Sequence, residues 1–255
     1  MIKSLLFAGR LRRLALTLCL GLAPAAHSQQ AIIVIDDLGY SLMNGLAVAE
    51  LPMPLTLAII PLSPHAQTIA KLATIQGKDV IIHSPMASID GRELDQGGLY
   101  PDMSKHEFQL TLERQLAALP QAIGLNNHMG SLLTQQPLAM SWLMQRLRAK
   151  QLFFIDSRTS SETVARQTAQ SYQVTSWQRD VFLDNERDPA AILNQLLTLE
   201  QIARQKGVAV AIGHPYEETI AVLSEQSQPI RRQGLVLVTP SKLLNEQLLA
   251  RKTEN

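Results

Sequence analysis

The sequence predicts a single α/β domain built on parallel strands, and three observations carry that expectation. Short apolar runs rich in Val and Ile alternate with helical-period segments about seven or eight times, the pattern of repeated strand–helix units. No internal stretch rich in Gly, Ser or Pro divides the alternation into two domains. The 255 residues are 46% hydrophobic but only 4% aromatic, which suits a sizeable core made mostly of Leu, Ile, Val and Ala. The net charge of +1, with no long run of either sign, argues against nucleic acid as a partner.

The first strand, residues 31–35, holds four consecutive β-branched residues and reads as buried on both faces. Asp36 and Asp37 follow it directly. Two adjacent carboxylates at a buried strand end repel each other and cost desolvation, so a metal or a proton would relieve them. Alternatively, either one caps a helix starting near Ser41. Residues 44–50 read as that helix, broken by Pro52 and Pro54. An apolar run at 55–60 ends at Pro61. Residues 64–76 have helical period, with Ile69, Leu72 and Ala73 on one face and Gly77 as the stop. The strand at 79–82 runs straight into His83.

Residues 90–101 form a loop rich in Gly and charge, long for a plain connection. Ser104 and Glu107 make a capping box that opens a helix over 104–118, with Phe108, Leu112 and Leu116 on its apolar face. A short strand at 123–125 precedes Asn126-Asn127-His128. A helix over 137–149 carries Leu143, Met144 and Leu147 and places Trp142 in the core. The strand at 152–155 ends in Asp156. A helix from about 161 to 170 leads to residues 172–175, and the run 181–183 precedes Asp184. Asp188 and Pro189 open a long helix to Lys206, with Pro at its first position. Gly207 leads into the strand at 208–212, which runs into Gly213 and His214. A helix from about Glu217 and a last strand at 235–238 precede Pro240. The tail 251–255 is polar and expected to fray.

Residues 1–28 read as a secretion signal. Lys3, Arg10, Arg12 and Arg13 form a basic start, residues 14–24 are apolar but short for a bilayer span, and Ala26-His27-Ser28 fits cleavage after Ser28. An uncleaved amino-terminal anchor is the alternative. Removing the leader leaves 19 basic against 22 acidic residues, a charge of −3. It also removes the only cysteine, Cys19, and a thiol-free mature protein suits an oxidising compartment. The expectation is a periplasmic or secreted protein without stable membrane insertion once cleaved. It comprises a domain over 29–250 and a polar tail over 251–255.

Asp36, Asp37, His83, His128, Asp156 and His214 all fall at carboxyl ends of apolar runs, where parallel α/β folds build their sites. An Asp with two histidines is a usual catalytic zinc set that leaves a position for water. A second carboxylate can then take a proton and a facing His can give one. Asp36, Asp37 and His214 have the right types for such roles.

The motifs Val34-Ile35-Asp36-Asp37-Leu38-Gly39, His83-Ser84-Pro85-Met86, the run from Gly124 to Ser131, Phe154-Ile155-Asp156-Ser157 and Ile212-Gly213-His214-Pro215 together resemble the divergent polysaccharide deacetylases. These are an offshoot of the NodB-type carbohydrate deacetylases, and the resemblance spans roughly residues 31–244. It implies a distorted (β/α) barrel of about seven strands, a carbohydrate substrate and a divalent metal, zinc first. Carried across, Asp36 is the base, Asp37 and His83 are metal ligands, and His214 is the acid. The better-known deacetylases place a second metal histidine four residues after the first. Here that position is Ala87, and His128 at the next strand end replaces it. The Arg-containing motif expected near there is absent.

The expected function is removal of acetyl groups from an N-acetylated envelope glycan. The rival is a non-catalytic envelope protein that keeps the barrel to bind a glycan or a protein. Asp156 is a secondary candidate that either orients the site or caps the following helix. Asn127 is another, and with Asn126 it either binds sugar hydroxyls or tolerates a turn. Arg158 pairs with Asp156 or meets an anionic substrate. Trp177 stacks on a sugar or fills a gap. His65 and His106 read as surface residues.

Overall fold

The computed structural model describes residues 29–226 and 235–253, so the leader expected over 1–28 lies outside the described residues. Eight strands alternate with helices in the order β1 (Gln30–Leu38), α1 (Leu42–Glu50), β2 (Thr56–Ile59), α2 (Ala66–Ile75), β3 (Asp79–Met86), α3 (Lys105–Ala118), β4 (Gly124–Met129), α4 (Pro137–Lys150), β5 (Phe153–Asp156), α5 (Ala165–Ser171), β6 (Ser176–Gln178), β7 (Val181–Phe182), α6 (Pro189–Lys206), β8 (Val208–Gly213) and α7 (Glu217–Gln226). A last strand, β9 (Val236–Leu237), and a helix, α8 (Pro240–Thr253), follow.

All pairings are parallel, and the sheet runs β6-β5-β4-β3-β2-β1-β8-β7. Only Arg179 and Asp180 separate β6 at one end of this order from β7 at the other. Arg179 N donates to Asp156 O on the β5 side, and Asp180 N donates to Val210 O on the β8 side. One extended segment is therefore shared between the two edges, and the sheet curls into a barrel. Counting β6 and β7 as one stave, and leaving aside β9, which pairs only with the start of β1, the nine strands among the described residues make a barrel of seven staves. The structure thus has the parallel α/β class that the alternation predicts, closed into the barrel that the family resemblance implies.

Two apolar layers hold it. Inward residues Ile32, Val34, Ala58, Ile81, Phe153, Ile155, Val210 and Ile212 fill the barrel, and Val238 and Leu243 close its amino end. Outward residues such as Ile33, Ile35, Leu57 and Leu125 pack under the helices against Val48, Ile69, Phe108, Leu143 and Leu199. Trp142 meets Phe108 edge-on at 5.7 Å in this outer layer, while Trp177 meets Phe153 at 5.5 Å and fills the barrel side. Helix starts follow local chemistry. Ser41 caps α1, Ser104 and Glu107 form the capping box of α3, and Asp188 caps α6 ahead of Pro189. The cap on α1 is thus Ser41 and neither Asp36 nor Asp37.

Strand ends differ most from expectation. β1, β3 and β4 continue through Asp36-Asp37, His83-Ser84 and Asn126-His128 instead of stopping before them. The ladder does not read side-chain polarity: His83 pairs with Asn126, and Pro85 with His128, as regularly as Ile82 with Leu125. The strand after α5 forms at Ser176–Gln178, beyond the expected 172–175, where it gains partners on β5. The unassigned stretch after Pro240 is helix α8, which runs through Thr253 and takes in most of the expected polar tail. Its start is tied to β3, where Asp79 accepts from Ser241 N at 2.8 Å and Ser241 Oγ at 2.7 Å.

Inside the barrel, a Cβ on Gly124 would stand 2.3 Å from the Phe153 ring. Gly→Ala normally stabilises by restricting the unfolded chain. At Gly124 the overpacking outweighs that gain, so Gly124→Ala is expected to destabilise by about 1–3 kcal/mol in urea unfolding.

Candidate functional site

Side-chain alternation builds the site. The inward positions Ile32 and Val34, Ile81, Phe153 and Ile155, and Val210 and Ile212 lie on β1, β3, β5 and β8. Continuing the period of two toward the carboxyl ends brings Asp36, His83, Ser157 and His214 to the same face. On β4 the same parity, starting from Gly124, brings Asn126 and His128. Asp37 would point outward in a regular strand. Its φ of 56° and the register shift between Ile35 and Leu38 form a bulge that returns it to the mouth.

Asp37 Oδ1 lies 3.0 Å from His83 Nε2 and 2.9 Å from His128 Nδ1, and those two nitrogens are 3.0 Å apart. The remaining ring nitrogens determine which atoms carry hydrogen. His83 Nδ1 sits 2.8 Å from Asn126 Oδ1, an acceptor, so it donates. His128 Nε2 lies 3.4 Å from Asp95 Oδ2, close enough for that carboxylate to favour hydrogen on Nε2. Neutral rings then present bare Nε2 and Nδ1 to the Asp37 oxygen. Three lone pairs this close repel unless a proton or a metal ion lies among them. One carboxylate and two imidazoles, with His83 held by Asn126, His128 facing Asp95 and the cluster open on the exposed side of Asp37, fit a divalent cation of the catalytic type.

Two groups flank this triangle. Asp36 is buried; its Oδ1 accepts from Asn126 Nδ2 at 2.8 Å, and its Oδ2 lies 3.7 Å from His83 Nε2. His214, directly after the neighbouring strand β8, has its Nε2 3.8 Å from Asp37 Oδ2. Asp184 holds the rest of His214, accepting from Nδ1 at 2.9 Å, from the backbone N at 2.5 Å and, in addition, from Thr219 Oγ1 at 2.8 Å.

The protonation tendencies diverge. Burial raises the Asp36 carboxyl, and the His83 and His214 charges only partly offset it. Burial also pushes Asp37 up, but hydrogen bonds from His128 and His83 outweigh it and hold that carboxyl well below the usual range. His83 loses charge preference to burial and regains more from Asp36 and Asp37, reaching about 9. His214 is likewise opposed by burial and raised overall by Asp184, Asp36 and Asp37.

Asp36, Asp37, His83, His128 and His214 therefore meet at one mouth. Asp156 and Asn127 face the turns instead. Asp156 accepts from Arg158 N and Thr163 Oγ1, both at 2.9 Å. Asn127 accepts from Ser157 N at 2.9 Å and donates to Met129 O at 2.7 Å. Sequence reasoning passed over two participants, Asp184 and Asp95, and gave Asn126 only as a residue that binds sugar hydroxyls or tolerates a turn. Asp184 obeys the strand-end pattern already applied to Asp36 and Asp156, so that signal was available. Asp95 lies in the long loop, where it also accepts from the Tyr40 hydroxyl, and nothing local distinguishes it from the other acids there. Asn126 needed strand parity to separate it from Asn127.

Comparison with known proteins bears on what this mouth does. Residues 33–244 match the divergent polysaccharide deacetylase family. The chain belongs to that family. An uncharacterized Haemophilus influenzae protein is 40% identical over 198 residues, covering 78% of this chain and 70% of that protein. The Escherichia coli protein YibQ, also uncharacterized, is 36% identical over 241 residues, 94% of this chain and 75% of its own length. The crystal structure of the uncharacterized protein ATU2773 from Agrobacterium tumefaciens superposes with a TM-score of 0.81 at 25% identity, covering 86% and 90% of the two chains. In this family member the imidazole that meets His83 and Asp37 comes from the next strand, at His128, and the residue four beyond His83 is Ala87.

The Asp184 contacts set an expectation for stability. Asp184→Ala leaves the His214 N–H and the Thr219 hydroxyl without their buried acceptor and should cost about 1–3 kcal/mol in urea unfolding. Thr219→Val removes only one donor and should cost less than about 1.5 kcal/mol.

Proposed function

We propose that the protein is a metal-dependent hydrolase that removes acetyl groups from an N-acetylated envelope glycan. The supporting observation is that Asp36 and His214 both border the Asp37–His83–His128 triangle, Asp36 Oδ2 at 3.7 Å from His83 Nε2 and His214 Nε2 at 3.8 Å from Asp37 Oδ2. Hydrolysis of an acetamide needs one proton taken from water and one given to the departing amine, and a carboxylate and an imidazole beside the triangle are the group types those two transfers call for. Family membership supplies the carbohydrate class.

Asp37, His83 and His128 would hold the cation, with zinc the ion that a mixed imidazole and carboxylate set favours. When bound there it would lower the pKa of a water molecule and stabilise the developing oxyanion. Asp36 Oδ2, the oxygen not committed to Asn126, takes the proton from the attacking water. His214, with Nδ1–H fixed on Asp184, presents Nε2 to the mouth and delivers a proton to the amine nitrogen as the C–N bond breaks. The raised proton affinity of His214 suits that donation, and burial gives Asp36 more basic strength than an exposed carboxylate.

The test measures acetate release from N-acetylglucosamine oligomers with zinc present. Wild type should release acetate, and Asp36→Asn should fall by about 100-fold or more, the usual contribution of a general base. Saturable glycan binding without acetate release, unchanged in Asp36→Asn, would favour a binding protein. Elemental analysis of protein purified without added metal should find near-stoichiometric zinc in wild type and a large loss in His128→Ala. Negligible metal in both would end the metal proposal.

The basic start and short apolar run of residues 1–28 support export, giving a periplasmic or secreted mature protein with its domain over 29–250. Among the described residues no helix is long and apolar enough to cross a membrane. Amino-terminal sequencing of the native protein should start after Ser28, and an intact cytosolic Met1 start would overturn export.

A further inference from the structure

We propose that Asn126 is the positioning residue that couples the two halves of this site, orienting His83 with one end of its amide and Asp36 with the other. The inference rests on the reading of Asp37, His83 and His128 as metal ligands and of Asp36 as base.

Asn126 is fully buried between β3 and β5, paired in register with His83 on one side and Ile155 on the other. Its Nδ2 donates to Asp36 Oδ1 at 2.8 Å and to Ser157 Oγ at 3.3 Å, and its Oδ1 lies 2.8 Å from His83 Nδ1. Three of the four hydrogen bonds an amide can make are therefore used.

The polarity of these contacts runs one way. An ionised carboxylate only accepts, so the amide must turn its NH2 to Asp36. Its oxygen then faces His83, and that oxygen only accepts, so His83 Nδ1 must carry hydrogen. With Nδ1 protonated, Nε2 of the neutral ring is bare and faces Asp37 and His128. Asp36 thus sets the amide, the amide sets the His83 tautomer, and the tautomer makes the donor triangle competent for a cation. In return, the NH2 group engages Asp36 Oδ1 and leaves Oδ2 facing the triangle. Because the coupling group is a neutral amide, it orients Asp36 without contributing a neighbouring positive charge.

Asn126→Asp and Asn126→Leu separate the two arms. Asn126→Asp retains an acceptor for His83 Nδ1 but loses the donor to Asp36 and sets a like charge against it. Its zinc affinity, measured by chelator competition, should stay within about threefold of wild type, well short of the 10–100-fold losses typical when an outer partner is removed. Its kcat for acetate release should fall by about 100-fold or more with KM little changed, since the base is misplaced while glycan contacts persist. Asn126→Leu loses both arms, and its zinc affinity should fall by about 10–100-fold as well.

Equal loss of zinc affinity in both variants, or wild-type kcat in Asn126→Asp, would overturn the coupling. If Asn126→Leu fails to fold, Asn126→Asp decides alone, because a tenfold loss of its zinc affinity sinks the proposal. Wild type that takes up no zinc would remove the metal reading and this inference together. Wild type that binds zinc but releases no acetate would end the hydrolase reading alone, and the zinc comparison would still decide whether Asn126 orients His83.

Discussion

Everything at the mouth of this barrel answers to one arrangement: an oxygen of Asp37 and two imidazole nitrogens, all within 3.0 Å of one another. Such a cluster of electron pairs is unfavourable in isolation, and flexible side chains would separate. Here they cannot easily do so. His83 and His128 stand on adjacent, register-locked strands, and Asp37 is turned inward by a backbone bulge. The rigidity comes from below, where a close-packed column of Ile, Val and Phe side chains fixes the strands that carry the polar layer.

The surrounding contacts divide by chemistry. Groups beside the imidazoles are acceptors: Asn126 Oδ1 bonds His83, Asp184 bonds His214, and the Asp95 carboxylate lies 3.4 Å from His128. Each acceptor faces the ring nitrogen turned away from the mouth, so each ring presents its other nitrogen inward. Asp36 contrasts with these, because it is an acceptor that needs a donor, and the amide of Asn126 supplies it. The buried polar layer is thus nearly satisfied within itself. That matters in an interior where an unpaired group costs about 1–3 kcal/mol.

The two ends of the barrel are finished differently. At the amino end, Val238 and Leu243 plug the interior, while buried Asp79 accepts from the start of α8. A carboxylate at a helix amino terminus meets the positive end of its dipole and satisfies its free N–H groups. Among the described residues the carboxyl end carries no such plug. There the apolar column stops, and the polar layer opens to solvent.

What the sequence determined by itself was local. Alternating apolar runs and helical periods gave a single parallel α/β domain, because periods of two and 3.6 are properties of neighbouring residues, whereas the barrel was implied only by the family resemblance. Caps such as Ser104 with Glu107, and Asp188 with Pro189, were legible for the same reason. The strand-end placement of Asp36, His83, His128 and His214 was also visible, since hydrophobicity changes sign there. Tertiary structure alone decided which of these atoms meet. The convergence of His83 and His128 depends on β3 lying beside β4 in one register, and the inward turn of Asp37 depends on a bulge that no residue type announces. Asn126 and Asn127 are adjacent and identical in type, yet one faces the site and the other a turn, because strand parity sends neighbours to opposite faces. Asp184 reaches His214 across 30 residues through the β7–β8 pairing. Such contacts are set by strand order and register, and those are energies of the whole sheet that no short stretch of sequence contains.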